Sequence, residues 1–456
     1  MVGPNHGGVP HPELDDPGLD EAALVRRAAD RFGFGCRPGE LAAWQQAGWP
    51  AWLDSRLRRP PDSDPGTAAT PTPALPMADR VPKGADPGIR RQRNAERRDA
   101  QQAAAVWWLD RMVRAEDQLT ERLTWFWHGH FATSVQKVRQ APLMIAQNER
   151  LRAGATGRFP DLAHAMIVDP AMLIWLDGND NTARAPNENL SREFMELFAL
   201  GRGNYAEADV QQAARALSGW RVDRDTGVAT LVPRRHDDRP KTILGATANF
   251  DAPSFVDRVL STPTSPRFVI GRLWFRLVSA TPPDEATMTT LLQAWGPNGD
   301  IRATAVAMTQ QPAFRSWSSA LVKQPVEWAV GLMRALGATP GALAAPQQRR
   351  LLGGLAGVGQ LPFRPPSVGG WSAGGAWLTT FAALSRTAVA RAVAGAAALP
   401  AELTSAPPAQ RPEALRRLLG VEAWSARTAQ ALGTVSDDWP SALTVAACSP
   451  EYVVSA

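Results

Sequence analysis

Apolar residues recur at helical spacing over most of the 456-residue chain. Near its start, Leu24, Ala28 and Phe32 lie four residues apart and would share one face of a helix. The same spacing returns between residues 103 and 125, and again between residues 325 and 336. Repeats of this kind are typical of amphipathic helices that bury one face. We therefore predict a mainly α, multi-helical globular protein.

Two short apolar stretches depart from the helical pattern. VATLVP at 228–233 and KTILG at 241–245 are rich in β-branched residues and are separated by a polar turn, which predicts a small β-hairpin insertion. The segment LPFRPPSVGGWSAGGAW at 361–377 contains too much Gly and Pro for a helix or a regular strand. We predict a structured loop there, which is either a lid over a ligand or a buried connection.

Composition divides the chain into five parts. Residues 1–18 are predicted to be a disordered N-terminus, and residues 19–58 to form N-terminal helices. Residues 59–89 are rich in Pro, Ala and Thr and have few large apolar side chains, which predicts a linker or surface loop. Residues 90–250 are predicted to be a helical core with the hairpin. Residues 251–456 are predicted to be a C-terminal helical region that includes the Gly-rich loop.

The charge pattern argues against nucleic-acid binding. The formal net charge is +5, and residues of both signs are interleaved instead of forming one basic face. The basic run at 90–98 contains Glu96, so we expect a solvated helix face. Cys36 and Cys448 have no metal-binding spacing and are expected to be free thiols.

The chain contains no candidate membrane span, because no stretch approaches the roughly 18 apolar residues that such a helix needs. The first residues, MVGPNHGGVPHPELDDPG, lack a basic region followed by an apolar run, so they do not resemble a secretory signal. As written, the sequence is expected to be cytoplasmic. Export would be expected if the start codon were misassigned.

Polar residues concentrate in three short segments, which we call the polar islands. They are FWHGHF at 126–131, NENLSREFMELFALGRGNYAEADVQQAARALSGW at 187–220 and HDDRPK at 236–241. Together they contain three of the six histidines and several carboxylates. Such residues suit a hard or borderline divalent metal ion. We therefore predict one polar site where the three islands converge.

Four residues are predicted to hold a divalent metal ion of unspecified identity: His128, His130, Glu188 and His236. On a regular helix, His128 and His130 would point about 200° apart and could not share an ion. A chain broken at Gly129 would allow them to share one. The alternative is structural, with one histidine packing or capping a helix and the other facing solvent.

Four further residues are predicted to take part in catalysis: Arg192, Glu193, Glu196 and Asp237. Glu193 could also complete the metal site, and Glu196 or Asp237 could act as a general base. Arg192 would stabilise an anionic substrate or intermediate. The alternative is again structural, because Arg192 and Glu196 are four residues apart on a helix and could pair.

Several segments in a fixed order resemble a bacterial family called domain of unknown function 1800. They are RRAADRFGFG at 26–35, the three polar islands, LVKQPVE at 321–327 and PPSVGGWSAGGAW at 365–377. The resemblance implies a largely helical protein, often exported and often encoded beside a sulfatase-like protein, and it implies no established activity. The family usually has Thr where this chain has Ala206, a difference that removes a helix cap.

Two functions are compatible with these patterns. The first is a metal-dependent enzyme, hydrolytic or oxidative, that acts on an envelope-associated polymer. The second is a non-catalytic binding or assembly module for a protein or polysaccharide partner, and the sulfatase-like protein is the candidate partner. The second hypothesis predicts an exposed apolar patch that includes Trp371 or Trp377.

Overall fold

The computed structural model describes residues 18–79, 81–82, 84–395 and 400–455. Helices dominate these residues, and the strands among them form three two-stranded antiparallel sheets. The mainly α fold predicted from the apolar spacing is therefore confirmed. Except for Gly18, the predicted disordered N-terminus lies outside the described residues. No helix within the described ranges is both long and apolar enough to cross a membrane.

The first half of the fold consists of short helices around one long helix. In chain order they are α1 (Glu21–Arg31), α2 (Glu40–Ala47), α3 (Trp49–Leu53), α4 (Pro65–Ala68), α5 (Pro87–Arg114), α6 (Gln118–His130), α7 (Val135–Val138), α8 (Ala141–Gly154), α9 (Phe159–Ile167), α10 (Pro170–Trp175), α11 (Asn189–Glu193) and α12 (Glu207–Ala216). A wider π-helical turn, Phe194–Ala199, continues α11.

The second half is also helical. Its helices are α13 (Ala252–Leu260), α14 (Thr264–Leu277), α15 (Glu285–Trp295), α16 (Ile301–Thr309), α17 (Pro312–Arg315), α18 (Pro325–Ala335), α19 (Ala345–Val358), α20 (Thr380–Ala394), α21 (Ala401–Thr404), α22 (Arg411–Leu418), α23 (Ala426–Thr434), α24 (Trp439–Cys448) and α25 (Pro450–Val453). Every residue of α18 is buried, including Glu327 and Arg334. A helix buried on all sides runs through the interior of the protein.

Each strand pairs with one partner. β1 (Trp220–Val222) pairs with β2 (Ala229–Leu231), β3 (Lys241–Ile243) with β4 (Ala246–Ala248), and β5 (Leu321–Val322) with β6 (Val454–Ser455). The expected pairing of 228–233 with 241–245 is wrong, because each stretch pairs with a nearer neighbour. Leu244 and Gly245 have φ of 48° and 81°. Positive φ at both turn residues is the geometry of a two-residue hairpin, so β3 folds directly back onto β4.

The Pro-rich segment 59–89 is held against α5 and the start of α8 by hydrogen bonds. The Trp107 indole donates to the Thr70 carbonyl at 3.2 Å, and Arg111 Nε donates to the Thr70 hydroxyl at 2.6 Å. Further along, Gln140 Nε2 donates to the Ala78 carbonyl at 2.9 Å. The described residues of this segment therefore form an attached surface segment.

Candidate functional site

His128 and His130 lie at the C-terminal end of α6, which continues as a helix through Gly129. Residues two apart on a helix point about 200° apart, so the two imidazoles enter different environments. Four aromatic rings lie around His128: Trp108, Trp125, Phe363 and Trp371. Six lie around His130: Phe126, Trp127, Phe131, Phe159, Phe198 and Phe268. The suggested break at Gly129 does not occur.

Burial keeps both imidazoles neutral. It lowers the pKa of His128 to about 3. It also lowers the pKa of His130 to about 3, and the nearby charge of Arg272 acts in the same direction. His130 Nε2 donates a hydrogen bond to the Phe198 carbonyl at 2.9 Å, whereas His128 Nε2 has no hydrogen-bond partner in the described part of the chain. These features fit packing residues of an aromatic core.

Arg192 joins two acidic residues on the outer side of α11. Its guanidinium lies 2.9 Å from a carboxylate oxygen of Glu188 and 2.9 Å from one of Glu207. The hydrogen bond with Glu207, followed by that with Glu188, raises the pKa of Arg192. Arg192 therefore pairs with these two residues and not with Glu196. The predicted metal ligand Glu188 lies in a partly exposed ion pair.

Glu193 and Glu196 lie at the π-helical turn Phe194–Ala199. Such turns are rare and frequently occur at functional sites. Glu196 accepts hydrogen bonds at 2.6 Å from the Tyr205 hydroxyl and from Arg202 Nε, and these bonds lower its pKa. Glu193 has no hydrogen-bond or ion-pair partner among the described residues. Partial burial, together with the charge of Glu196, raises its pKa.

His236 and Asp237 connect the second polar island to the third. His236 Nδ1 donates to the Ser218 carbonyl at 2.9 Å. The buried Asp237 carboxylate accepts hydrogen bonds from Arg239 at 2.6 Å and from Arg215 at 2.8 Å. These two guanidiniums hold the pKa of Asp237 far below its usual range. A carboxylate with such a low pKa is a poor general base, so its contacts indicate a structural role.

The structure does not bring the predicted metal ligands together. Within the described ranges, no group of three or more His, Cys, Asp or Glu side chains is placed to hold a metal ion. His128 and His130 face separate aromatic surroundings, and Glu188 pairs with Arg192. His236 is hydrogen bonded to the backbone. The predicted metal ligands therefore do not surround one ion in the described residues, although hydrogen bonds from His130 to Phe198 and from Arg215 to Asp237 join neighbouring islands.

The Gly-rich loop packs inward. Trp371 and Trp377 are each 5% exposed, and Trp371 stacks on Trp125 with ring centroids 4.8 Å apart. The predicted exposed patch that includes one of these tryptophans is therefore wrong, because the loop uses both rings to fill the core. The large apolar side chains that reach solvent just beyond the loop are Leu378, Phe381 and Leu384.

Three segments of the family resemblance meet at a small basic cavity, which we call the arginine pocket. These segments are 26–35, 321–327 and 365–377, and parts of α6 and α14 complete the wall. The cavity has a volume of about 50 Å³. Its lining includes Asp30, Arg31, Arg122, Phe275, Arg276, Lys323, Gln324, Glu327, Ala373 and Gly374.

Two ion pairs form part of the pocket wall. Arg122 lies 2.6 Å from Glu327, and Lys323 lies 2.8 Å from Asp30. Arg122 Nε also donates to the Arg31 carbonyl at 3.0 Å, which connects α6 to the end of α1. Both carboxylates of the pocket are therefore already paired.

The other two cations of the pocket face carbonyl oxygens. Arg31 donates to the Val278 carbonyl at 2.7 Å and to the Ser455 carbonyl at 2.8 Å. Arg276 donates to the Trp371 carbonyl at 3.0 Å. Burial lowers the pKa of Arg31 well below its usual value and the pKa of Arg276 to about 10. Four cations and two carboxylates leave a net charge of +2, so the pocket is electropositive.

The family model that matches this chain is described as Protein of unknown function (DUF1800), and it matches residues 27–454. The chain belongs to this family. In this DUF1800 protein the matched range includes all three polar islands and the residues named for the arginine pocket. No curated protein and no solved structure matches the chain.

Sequence reasoning missed the arginine pocket of this DUF1800 protein for a physical reason. Its cations are spread along the chain from Arg31 to Lys323, and none lies within a polar island. Only the fold brings them together. The one available indication was the series of family segments, because three of them contribute to the pocket.

Proposed function

We propose that this DUF1800 protein is a non-catalytic binding or assembly module. The arginine pocket would hold a carboxylate, sulfate or phosphate group that belongs to a protein or polysaccharide partner. One observation carries the proposal: four cations and two carboxylates, drawn from distant parts of the chain, surround a cavity of about 50 Å³. That volume suits a small anionic group and not a whole ligand.

The electrostatics of the pocket support this proposal. Charges interact more strongly in a partly buried site than in water. Arg31 and Arg276 lack a carboxylate partner in the described part of the chain, so an anion would add charge-assisted hydrogen bonds that carbonyl oxygens do not supply. The planar guanidinium group can also donate two parallel hydrogen bonds to the two oxygens of a carboxylate or to a pair of oxygens of a sulfate or phosphate.

The surface beside the pocket suits a larger partner. Phe275, in the pocket lining, is 40% exposed, and Leu378 and Phe381, four and seven residues after the lining residue Gly374, are 54% and 66% exposed. Exposed apolar side chains of this size are available for contact with a partner. The first partners that we propose are a sulfated polysaccharide and the sulfatase-like protein often encoded beside members of this family.

The test compares the wild-type protein with Arg276→Gln and Arg267→Gln. Arg267 lies on the same helix but pairs with Glu285 at the surface. Binding of sulfate, a sulfated oligosaccharide and its unsulfated form is measured by isothermal titration calorimetry. We expect Arg276→Gln to weaken anion binding about tenfold or more, because a hydrogen bond to a charged group contributes about 1.5–3 kcal/mol. Arg267→Gln should leave affinity unchanged.

Two results would contradict the binding proposal. One is a wild-type protein that binds neither sulfate nor the sulfated oligosaccharide at millimolar concentration. The other is an Arg276→Gln variant that is folded and binds both as tightly as the wild type. Thermal unfolding of the three proteins shows whether a loss of binding reflects a loss of fold.

One observation favours a second candidate, a hydrolytic enzyme that acts on an envelope-associated polymer. The pKa of Glu193 is raised and that of Glu196 is lowered. Adjacent carboxyls with opposite shifts are suited to one group that donates a proton and one that stays ionised. In this proposal Glu193 is the general acid. A proton donated by Glu193 to the leaving group of the substrate, beside an ionised Glu196, suits hydrolysis better than oxidation.

Two measurements test the second candidate. Polymer hydrolysis should be lost in Glu193→Gln and kept in Glu207→Gln, because Glu207 only pairs with Arg192 at the surface. Elemental analysis of untagged protein, compared with a His128→Ala/His236→Ala variant, tests whether a divalent metal belongs to the site. Near-stoichiometric metal that is lost in that variant would favour the metal-dependent enzyme over the binding module.

A further inference from the structure

A second cavity lies between α5, α8, α19 and the start of the Gly-rich loop, and we call it the apolar cavity. Its volume is about 250 Å³, which is room for about eight water molecules at roughly 30 Å³ each. Apolar side chains form most of its wall, including Ala105, Val135, Met144, Leu352, Leu361 and Phe363. It shares no lining residue with the arginine pocket.

Two arginines line this cavity without acidic partners. They are Arg98 on α5 and Arg364 in the loop, and the lining contains no Asp or Glu. Both side chains are exposed, so they lie at the open side of the cavity, and neither guanidinium has a hydrogen-bond or ion-pair partner among the described residues. Gln101 and Gln102 supply the other polar side chains of the lining. The cavity therefore combines an apolar wall with two positive charges that no described residue neutralises.

Backbone strain occurs at the same place. Phe363 has a φ of +64°, a conformation that bulky residues rarely adopt and that recurs at ligand-binding and active sites. Its carbonyl accepts a hydrogen bond from the Val135 backbone nitrogen at 2.9 Å. Its ring lies against Trp108, with centroids 4.9 Å apart. These contacts fix the ring in the cavity wall.

We infer that the apolar cavity binds a medium-chain monocarboxylate. The hydrocarbon chain would lie against the apolar wall, and the carboxylate would lie at Arg98 and Arg364. Each buried methylene raises affinity about fourfold, and a carboxylate matches a guanidinium in charge and geometry. A cation would be repelled by the two arginines, and a larger polar molecule would leave its own groups unpaired against the wall.

Gly353 offers a substitution that fills the cavity while sparing the core. It lies within α19 and lines the cavity, and a Cβ at this position would meet no atom within 4 Å. Gly353→Leu should therefore favour the helix while its side chain occupies the cavity. Gly433→Leu in α23 is the matched control, because a Cβ there also meets no atom within 4 Å and Gly433 lies outside the lining.

Calorimetric titration with octanoate tests the inference. Octanol, which keeps the hydrocarbon chain, and acetate, which keeps the carboxylate, are the comparison probes. We expect the wild type and Gly433→Leu to bind octanoate equally, and Gly353→Leu to bind it at least tenfold more weakly. The wild type should prefer octanoate over both other probes by at least tenfold. An Arg98→Gln/Arg364→Gln variant should lose the preference over octanol and still bind octanol.

Three outcomes would overturn the inference. They are a wild type that does not bind octanoate, a Gly353→Leu variant that binds it as tightly as the wild type, and equal wild-type affinities for octanoate and octanol. The first two would remove the cavity as a binding site. The third would show that Arg98 and Arg364 do not recognise the carboxylate.

Discussion

Burial decides what His128 and His130 can do. Each imidazole lies among aromatic rings and has a pKa near 3, so neither carries a charge near neutral pH. A neutral, enclosed ring behaves as an aromatic packing residue with one polar edge. The same burial makes the folded protein sensitive to acid, because at mildly acidic pH these histidines bind protons in the unfolded chain but not in the folded one.

The direction of the pH effect follows from these pKa values. The histidine pKa is about 3 in the folded protein and about 6.5 in the unfolded chain. Stability is therefore fully present above about pH 6.5 and is lost as the pH falls toward 3. Each histidine adds up to about 1.4 kcal/mol per pH unit to the slope of the free energy of unfolding against pH. We expect His128→Phe to lower the slope by about that amount between pH 6 and 5, as measured by urea unfolding.

His164→Gln provides the control for this prediction. His164 is partly exposed and pairs with Asp257 at 2.8 Å, so its replacement removes a histidine from the chain and leaves the aromatic core around His128 intact. His128→Phe removes no hydrogen bond, since His128 Nε2 has no partner among the described residues. A folded His128→Phe protein with the wild-type slope would show that the ring is hydrated or charged in the native state.

At the scale of elements, α12 begins with half of a capping box. Ala206 occupies the cap position in an extended conformation, with φ −99° and ψ 159°. Its backbone nitrogen donates to the Asp209 carboxylate at 2.8 Å. A methyl side chain cannot supply the other half, which is an oxygen that accepts from the Asp209 backbone nitrogen. The backbone at Ala206 therefore has the conformation of a helix cap, but its side chain lacks the oxygen that would accept the hydrogen bond.

Ala206→Thr should raise the free energy of unfolding by about 1 kcal/mol, because its hydroxyl would complete the capping box. Ala206→Val is the matched control, since valine has nearly the same shape and no hydroxyl. Urea unfolding of the three proteins measures the effect. Equal stabilisation by Thr and Val would assign the gain to apolar packing, and no gain from Thr would mean that the cap does not form.

The helices could be predicted from sequence because their apolar spacing is local. The segment around Leu24, Ala28 and Phe32, for example, forms α1 nearly as its spacing predicts. The sequence predicts a small β-hairpin in this region and one is found, but its strand pairing could not be predicted correctly, since β3 turns at Leu244, a non-glycine residue with positive φ. The π-helical turn after Glu193 has no distinctive apolar period either. Local apolar patterns therefore identify helices, but they do not identify the hairpin turn at Leu244 or the π-helical turn.

At the scale of the whole molecule, the arginine pocket depends on contacts between distant segments. The Arg31 guanidinium donates to the Ser455 hydroxyl at 3.2 Å and to the Ser455 carbonyl at 2.8 Å, across 424 residues of sequence. Strand β6, which carries Ser455, is paired with β5 next to Lys323. No local pattern contains this arrangement, which explains why the polar islands, and not the pocket, were predicted as the site.

The C-terminal strand β6 should affect both stability and anion binding. Deletion of residues 454–456 removes β6 and leaves the buried Arg31 guanidinium without its Ser455 acceptors. Loss of acceptors for a buried donor destabilises a protein by about 1–3 kcal/mol, so the melting temperature should fall. Among the described residues, Arg31 would then be held only by the Val278 and Ser319 carbonyls, so its guanidinium would be less firmly fixed in the pocket wall and sulfate affinity should fall as well.

Ser455→Ala separates the two effects, because it removes the hydroxyl and keeps the carbonyl and the strand pairing of β6. We expect this variant to lose no more than about 1 kcal/mol of stability and to bind sulfate nearly as the wild type does. Differential scanning calorimetry and sulfate titration, both below the melting temperature of the deletion variant, give the comparison. If the deletion variant were folded and bound sulfate normally, then β6 would stabilise the fold without shaping the pocket. The arginine pocket would in that case depend on Arg122, Arg276 and Lys323 alone.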